Sequence, residues 1–164
     1  YAAGLSIKPE NLEAFSNCFE KYVVENITEA SLVPQIKIDL ELNLSEINQK
    51  YYRILKQLAP FGPGNMVPVF KSSELIDTGN SRIVGEKHLK LEVVHKNTSG
   101  FPLAGIAFQQ ADKLDVIKSG SDYYNNKADK KQAVFNLCFS LEENEWNGTR
   151  NLQLNVKDIK PFSV

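Results

Sequence analysis

The chain has 164 residues, a formal net charge of −1, 42% hydrophobic residues and 24% charged residues. This length supports one ordinary domain or two small ones, and the composition excludes a chain that is disordered throughout. A charge this close to neutral gives no overall attraction to nucleic acid or to a membrane, so any such binding would depend on a local cluster. No apolar run approaches the roughly 20 residues that a transmembrane helix needs.

The start of the chain and its two cysteines suggest its context. The sequence begins at Tyr1 rather than Met, inside an apolar stretch, so we expect a piece of a longer protein. Cys18 and Cys138 both lie among apolar neighbours. We therefore expect two buried free thiols in a reducing compartment, because two cysteines alone cannot form a disulfide framework or a metal site.

The first third of the chain predicts two helices around one strand. After Pro9, apolar residues recur at helical spacing, which predicts a helix over about 10–26. Residues 36–42 alternate between apolar and charged side chains and so predict a half-buried strand. Ser45 is a suitable N-cap for a second helix, whose apolar stripe runs as far as Leu58.

A joint follows at residues 59–65, where two prolines and two glycines fall close together. Such a stretch can neither continue a helix nor lie inside a sheet. We place the domain junction there, with one domain over 1–58 and a second over 66–164.

The second domain changes to strand patterns. Three strands, one short helix near 111–118 and two further strands follow one another, and Asn147-Gly148 predicts a hairpin between the last two. A helix between the third and fourth of five strands is the order expected of an OB-fold barrel, which commonly binds oligonucleotides. The predicted fold is therefore an α+β N-terminal piece followed by an all-β, OB-like five-stranded barrel with one short helix. The polar stretch 119–131 is expected to be a loop.

The sequence carries no recognisable catalytic or metal-binding pattern. His88 and His95 are seven residues apart on one predicted strand, so period two places them on opposite faces and they cannot share a metal. No zinc or manganese spacing, phosphate-binding loop or dinucleotide fingerprint occurs. We predict that this segment by itself catalyses nothing.

Nucleic-acid binding needs cations for phosphates and flat rings for bases. We expect the third barrel strand to present Gly105 and Ala107 outward, leaving room for a base beside the cations of the second strand. The ring of Trp146 either stacks on a base or packs over the end of the barrel. The candidate binding residues are Arg82, Lys87, His88, Lys90, Tyr123, Tyr124, Trp146 and Arg150.

Several segments together resemble the bacterial RecJ family. Residues 2–5, Ala-Ala-Gly-Leu, are similar to the end of a DHHA1-domain motif, and residues 58–65 resemble the joint that follows that domain. Three further stretches resemble the family's C-terminal OB-like domain, and so does the closing run 152–159. These stretches are 88–91, 106–108 and 144–148.

The resemblance implies a single-strand-specific DNA exonuclease that degrades from the 5′ end and serves repair and recombination in the bacterial cytoplasm. Family members hold Mn²⁺ or Mg²⁺ in a DHH domain, but no Asp-His-His triplet occurs here. We therefore expect no cofactor in this segment and no nuclease activity from it, although its parent would be an enzyme. Residues 1–58 would be the end of the DHHA1 domain, 59–65 the joint, and 66–164 the OB-like domain.

Two functions remain open for the segment. In the first, the barrel binds single-stranded DNA. In the second, it is an interaction module that docks protein partners, such as the exonuclease core or a single-stranded-DNA-binding protein. The near-neutral net charge keeps the second alternative open.

Overall fold

The chain divides into two compact units, and the division along the sequence falls between Ile36 and Lys37. The computed structural model describes residues 4–97, 100–118, 133–146 and 148–162. Within these ranges, no helix is long and apolar enough to cross a membrane.

The first unit contains one long helix. A short 3-10 turn at Pro9–Asn11 leads into α1, Leu12–Asn26, which agrees with the helix predicted over about 10–26. Proline suits this entry because its fixed backbone angle is already helical. None of the residues of α1 is buried, and the rings of Phe15 and Phe19 stack on each other with centroids 5.8 Å apart. Cys18, expected to be buried, is exposed on this helix.

The second unit is built on a seven-stranded sheet with two short helices. The strands are β1 (Leu40–Glu41), β2 (Phe70–Asp77), β3 (Arg82–Val84), β4 (His88–His95), β5 (Leu103–Ala107), β6 (Phe135–Trp146) and β7 (Thr149–Pro161). The helices are α2 (Gln49–Lys56) and α3 (Leu114–Lys118), the latter preceded by a 3-10 turn at Ala111–Lys113. The short helix expected near 111–118 therefore lies between β5 and β6, as the sequence predicts.

Five of the strands pair in a closed ring. β2 pairs antiparallel with β6 and also with β4, while β6 pairs with β7 and β4 with β5. A parallel pairing between β5 and β7 completes the ring. β1 and β3 lie outside the ring, as edge strands on β2 and β4.

The core lies on the inner side of these strands. The sequence alternates between apolar and polar residues over 88–93, which predicts that Leu89, Leu91 and Val93 face inward, and all three are buried. They pack in one cluster with the inward residues of β6, including Phe135 and Phe139. The free thiol of Cys138, expected to be buried, is only partly so, and burial raises its pKa.

Residues 37–58 belong to the second unit, although the sequence places the junction at 59–65. The physical reason is shared burial, because Leu42, Leu44 and Leu55 lie in the same core cluster as the sheet. That residues 1–58 are the end of a DHHA1 domain stays a prediction.

The local structure of this stretch also differs from the expectation. Only Leu40–Glu41 forms a strand, paired parallel with β2, instead of the whole range 36–42. The N-cap of α2 is Asn48, whose side chain accepts a hydrogen bond from the Tyr51 amide at 3.0 Å. Ser45, predicted to be the cap, lies in a preceding 3-10 turn that Asn43 caps.

Candidate functional site

The outward faces of β3, β4, β5 and β7 present one continuous row across the sheet. Lys90 on β4 pairs with Arg82 on β3 and with Ile106 on β5, and Ile106 pairs with Asn155 on β7. Directly opposite residues of paired strands point to the same side of a sheet. We call Arg82, Lys90, Ile106 and Asn155 the outer row.

Two of the outer-row residues are cations that face each other, and among the described residues neither forms an ion pair. No carboxylate oxygen lies within 4.0 Å of Arg82 or Lys90 in the part of the chain that the structure describes, and the same holds for Lys87. Like charges directly opposite each other across two strands are destabilising. Both side chains are exposed, so they are free to bind an anion from solution.

The carboxylate closest along β4 is held by other groups. Glu92 points to the same side as Lys90 and accepts hydrogen bonds from Thr78, at 2.7 Å, and from Asn80. Both hydrogen bonds lower the pKa of Glu92, and the bond from Asn80 has the larger effect. The positive charge of Lys90 lowers this pKa further, by a smaller amount. Glu92 is thus charged but directed toward the β2–β3 turn.

The prediction that Gly105 and Ala107 face outward is wrong. Both are buried, while Ala104 and Ile106 have the outward phase on β5. Gly105 is small because β7 passes close to it: a Cβ there would lie 3.3 Å from the Cβ and carbonyl oxygen of Leu154. Gly105 and Ala107 thus lie on the core side of β5 and create no space on its outer side.

The outer side instead carries an exposed aromatic ring that the sequence analysis did not select. Phe108 follows β5 and is 55% exposed. Its ring contacts that of His88 edge to face, with centroids 5.3 Å apart and planes at 75°. Ile106 and Phe108 are two residues apart and so point to the same side of the strand. The sequence would have identified Phe108 as an outward ring if it had shown which side of β5 faces the core.

The β6–β7 hairpin carries the other two candidates that belong to strands. Its backbone confirms the predicted tight turn, because Trp146 pairs with Thr149 across residues 147 and 148. Arg150 is neutralised, since its Nε donates to Glu145 at 2.8 Å. The structure does not describe the side chain of Trp146, so both interpretations of its ring stay open.

The candidates are therefore only partly brought together. Arg82, Lys87, His88 and Lys90 lie around the paired strands β3 and β4. Arg150 is five residues from Asn155 along β7, or about 16 Å in an extended strand. Tyr123 and Tyr124 lie outside the described residues. Over the described ranges, no group of three or more His, Cys, Asp or Glu is arranged to hold a metal ion.

Comparison with known proteins gives concordant matches. The chain is 32% identical over 164 residues to the single-stranded-DNA-specific exonuclease RecJ of Haemophilus influenzae, covering 98% of this chain and 26% of that protein. For the Escherichia coli protein of the same name, the identity is 29% over 163 residues, covering 98% and 25%. The chain thus spans about a quarter of the length of these curated relatives.

The fold and the family agree with these matches. The crystal structure of Thermus thermophilus RecJ in complex with Mn²⁺ superimposes with a TM-score of 0.65 at 19% identity, covering 98% of this chain and 21% of that one. Residues 38–158 match the family model described as the RecJ OB domain. Because this match covers most of the sequence, the chain belongs to the RecJ OB domain family.

Proposed function

We propose that this chain is the C-terminal, nucleic-acid-binding part of a RecJ-like single-stranded-DNA-specific exonuclease, and that its outer row binds the phosphates of a single DNA strand. The metal-dependent cleavage by that parent, with Mn²⁺ or Mg²⁺, is placed in a different segment. We place the parent in the bacterial cytoplasm. The assignment is supported by relatives named as single-stranded-DNA-specific exonucleases, whose similarity extends over nearly the whole of this chain.

The single observation that carries the binding proposal is the unpaired couple Arg82 and Lys90. Two cations directly opposite each other repel, and a bound phosphate would relieve that repulsion. Their exposure leaves both free to take the role.

The strand order supports the same surface. We infer that the ring of β2, β4, β5, β7 and β6 is the five-stranded OB barrel, because it is closed and contains the helix α3 between its third and fourth strands in chain order. OB folds bind oligonucleotides on the face of their second and third strands. In this chain those strands are β4 and β5, which carry Lys90 and Ile106.

A salt titration tests the proposal. Binding of a short labelled oligothymidylate is measured by fluorescence anisotropy over a range of salt concentrations, for the unchanged chain and for Arg82→Ala/Lys90→Ala. The log–log salt slope is about −0.7 per phosphate contact on single strands, so the double variant should flatten it by about 1.4. At about 0.1 M salt this corresponds to roughly fivefold per contact, or about 25-fold in affinity.

The matched control is Lys50→Ala/Arg53→Ala on α2. It also removes one lysine and one arginine, both exposed and without an ion pair among the described residues. We expect it to change affinity less than twofold. Equal losses in both double variants would contradict the proposal, and no salt-dependent binding by the unchanged chain would favour a surface that docks proteins.

A further inference from the structure

The exposed ring of Phe108 stands on the same outer side of the sheet as the unpaired cations. Phe108 lies two residues beyond Ile106 of the outer row, and its neighbour across the strands, His88, lies two residues before Lys90. A ring and two cations thus share one surface.

The ring pair is held in place by the backbone around it. The Gln109 amide donates to Nδ1 of His88 at 3.0 Å, and Gln109 itself has a left-handed φ of 57°. With Nδ1 accepting a hydrogen bond, the neutral imidazole carries its proton on Nε2. The edge-to-face contact then braces Phe108, so little side-chain freedom remains to be lost on binding.

We propose that Phe108, braced by His88, is the platform on which a base of the bound single strand stacks. This inference rests on the proposed function and adds to it the contact that accepts a base. Stacking is tolerant of sequence because every base has a π face. The platform therefore predicts binding that depends on the presence of bases but little on their order.

The surrounding charges orient the strand on this platform. A cleft of about 340 Å³ is lined by Lys87 and by two carboxylates, Glu86 and Asp112. Phosphates are repelled by those carboxylates and attracted to Arg82 and Lys90. The sugar–phosphate backbone is therefore expected to follow the cation side, with the base turned toward Phe108.

Removal of the ring tests the platform. Affinity for an oligothymidylate is compared with affinity for an abasic strand of equal length, which keeps the phosphates and lacks the bases. Phe108→Ala should weaken binding of the oligothymidylate about tenfold, within the range that base–aromatic stacking covers, and leave the abasic strand and the salt slope unchanged. The matched control is Phe101→Ala, because Phe101 is 96% exposed and has no ring partner among the described residues.

Tryptophan fluorescence gives a second readout that does not depend on removing the ring. The sequence has a single tryptophan, Trp146. In Trp146→Phe/Phe108→Trp the only tryptophan stands at the platform, and its emission should be quenched by the oligothymidylate and not by the abasic strand. Trp146→Phe/Phe101→Trp should show neither response.

Each outcome decides between the two proposals. If the unchanged chain binds neither strand, the proposed function fails and the platform fails with it. If the chain binds but Phe108→Ala loses equal affinity for both strands, or for neither, the platform alone is overturned. Should Phe108→Ala melt at a lower temperature, the fluorescence of Trp146→Phe/Phe108→Trp decides, and an absence of base-dependent quenching there overturns the inference.

Discussion

The two cationic regions of the second unit differ in whether their charge is already satisfied. Around β3 and β4, Arg82 and Lys90 face each other across the strands with no carboxylate within ion-pair distance among the described residues. At the β6–β7 hairpin, Arg150 faces Glu145 and binds it at 2.8 Å. The sequence alone does not distinguish these three cations. The residue that lies opposite each cation on the neighbouring strand decides whether the cation is free to bind phosphate.

Position reinforces the difference in charge. Arg150 has the alternation phase of Leu154 and Val156, which are buried farther along β7. Asn155, the outer-row residue of β7, has the opposite phase. Its side chain donates a hydrogen bond to Glu142 and accepts one from Lys157. A DNA strand that follows the outer row would therefore contact Arg82 and Lys90, whereas Arg150 lies outside that row.

The largest expected effect comes from reversing the free cations. Arg82→Glu/Lys90→Glu removes two phosphate contacts and adds two repulsive charges, so oligothymidylate affinity should fall by more than about 25-fold, the loss expected from the contacts alone. Lys50→Glu/Arg53→Glu makes the same change in net charge on α2. Anisotropy titrations of both variants separate the effect of local contacts from the effect of overall charge. Similar losses of affinity in the two variants would contradict a special role for Arg82 and Lys90.

A smaller effect is expected from releasing the paired cation. Glu145→Gln leaves Arg150 without its carboxylate, and one new phosphate contact would raise affinity by at most about fivefold near 0.1 M salt. Glu143→Gln is the matched control, because it makes the same charge change on β6. It releases Lys56, whose Nζ lies 3.6 Å from the Glu143 carboxylate. A gain that persists in Glu145→Gln/Arg150→Gln would show that Arg150 is not its source.

The smallest effect is on stability, where the two regions should respond with opposite sign. Arg82→Gln relieves a like-charge cross-strand contact, so the free energy of unfolding should rise by about 0.2–1 kcal/mol at low salt. Arg150→Gln removes an exposed ion pair and should lower it by up to about 1 kcal/mol. Urea unfolding measures both, and the two differences should shrink in 1 M salt because exposed charges are screened. Changes of the same sign would contradict the contrast.

The elements that depend on neighbours in the chain could be predicted from the sequence. Apolar spacing after Pro9 identified α1, and alternation identified the inward residues Leu89 and Leu91 of β4. The pair Asn147-Gly148 located the β6–β7 hairpin, since a two-residue turn suits glycine at positive φ, and Gly148 has a φ of 76°. These signals are local because helix and strand periodicity are set by backbone geometry.

What the sequence alone determined is thus the kind and order of most of the elements, together with the list of available cations. The tertiary structure alone decided the phase of β5, the burial of Gly105 against β7 and the assignment of residues 37–58 to the second unit. It also decided that Arg150 has a carboxylate partner whereas Arg82 and Lys90 have none among the described residues. The physical reason is that register, shared burial and ion pairing join residues far apart in the chain, which no local pattern specifies.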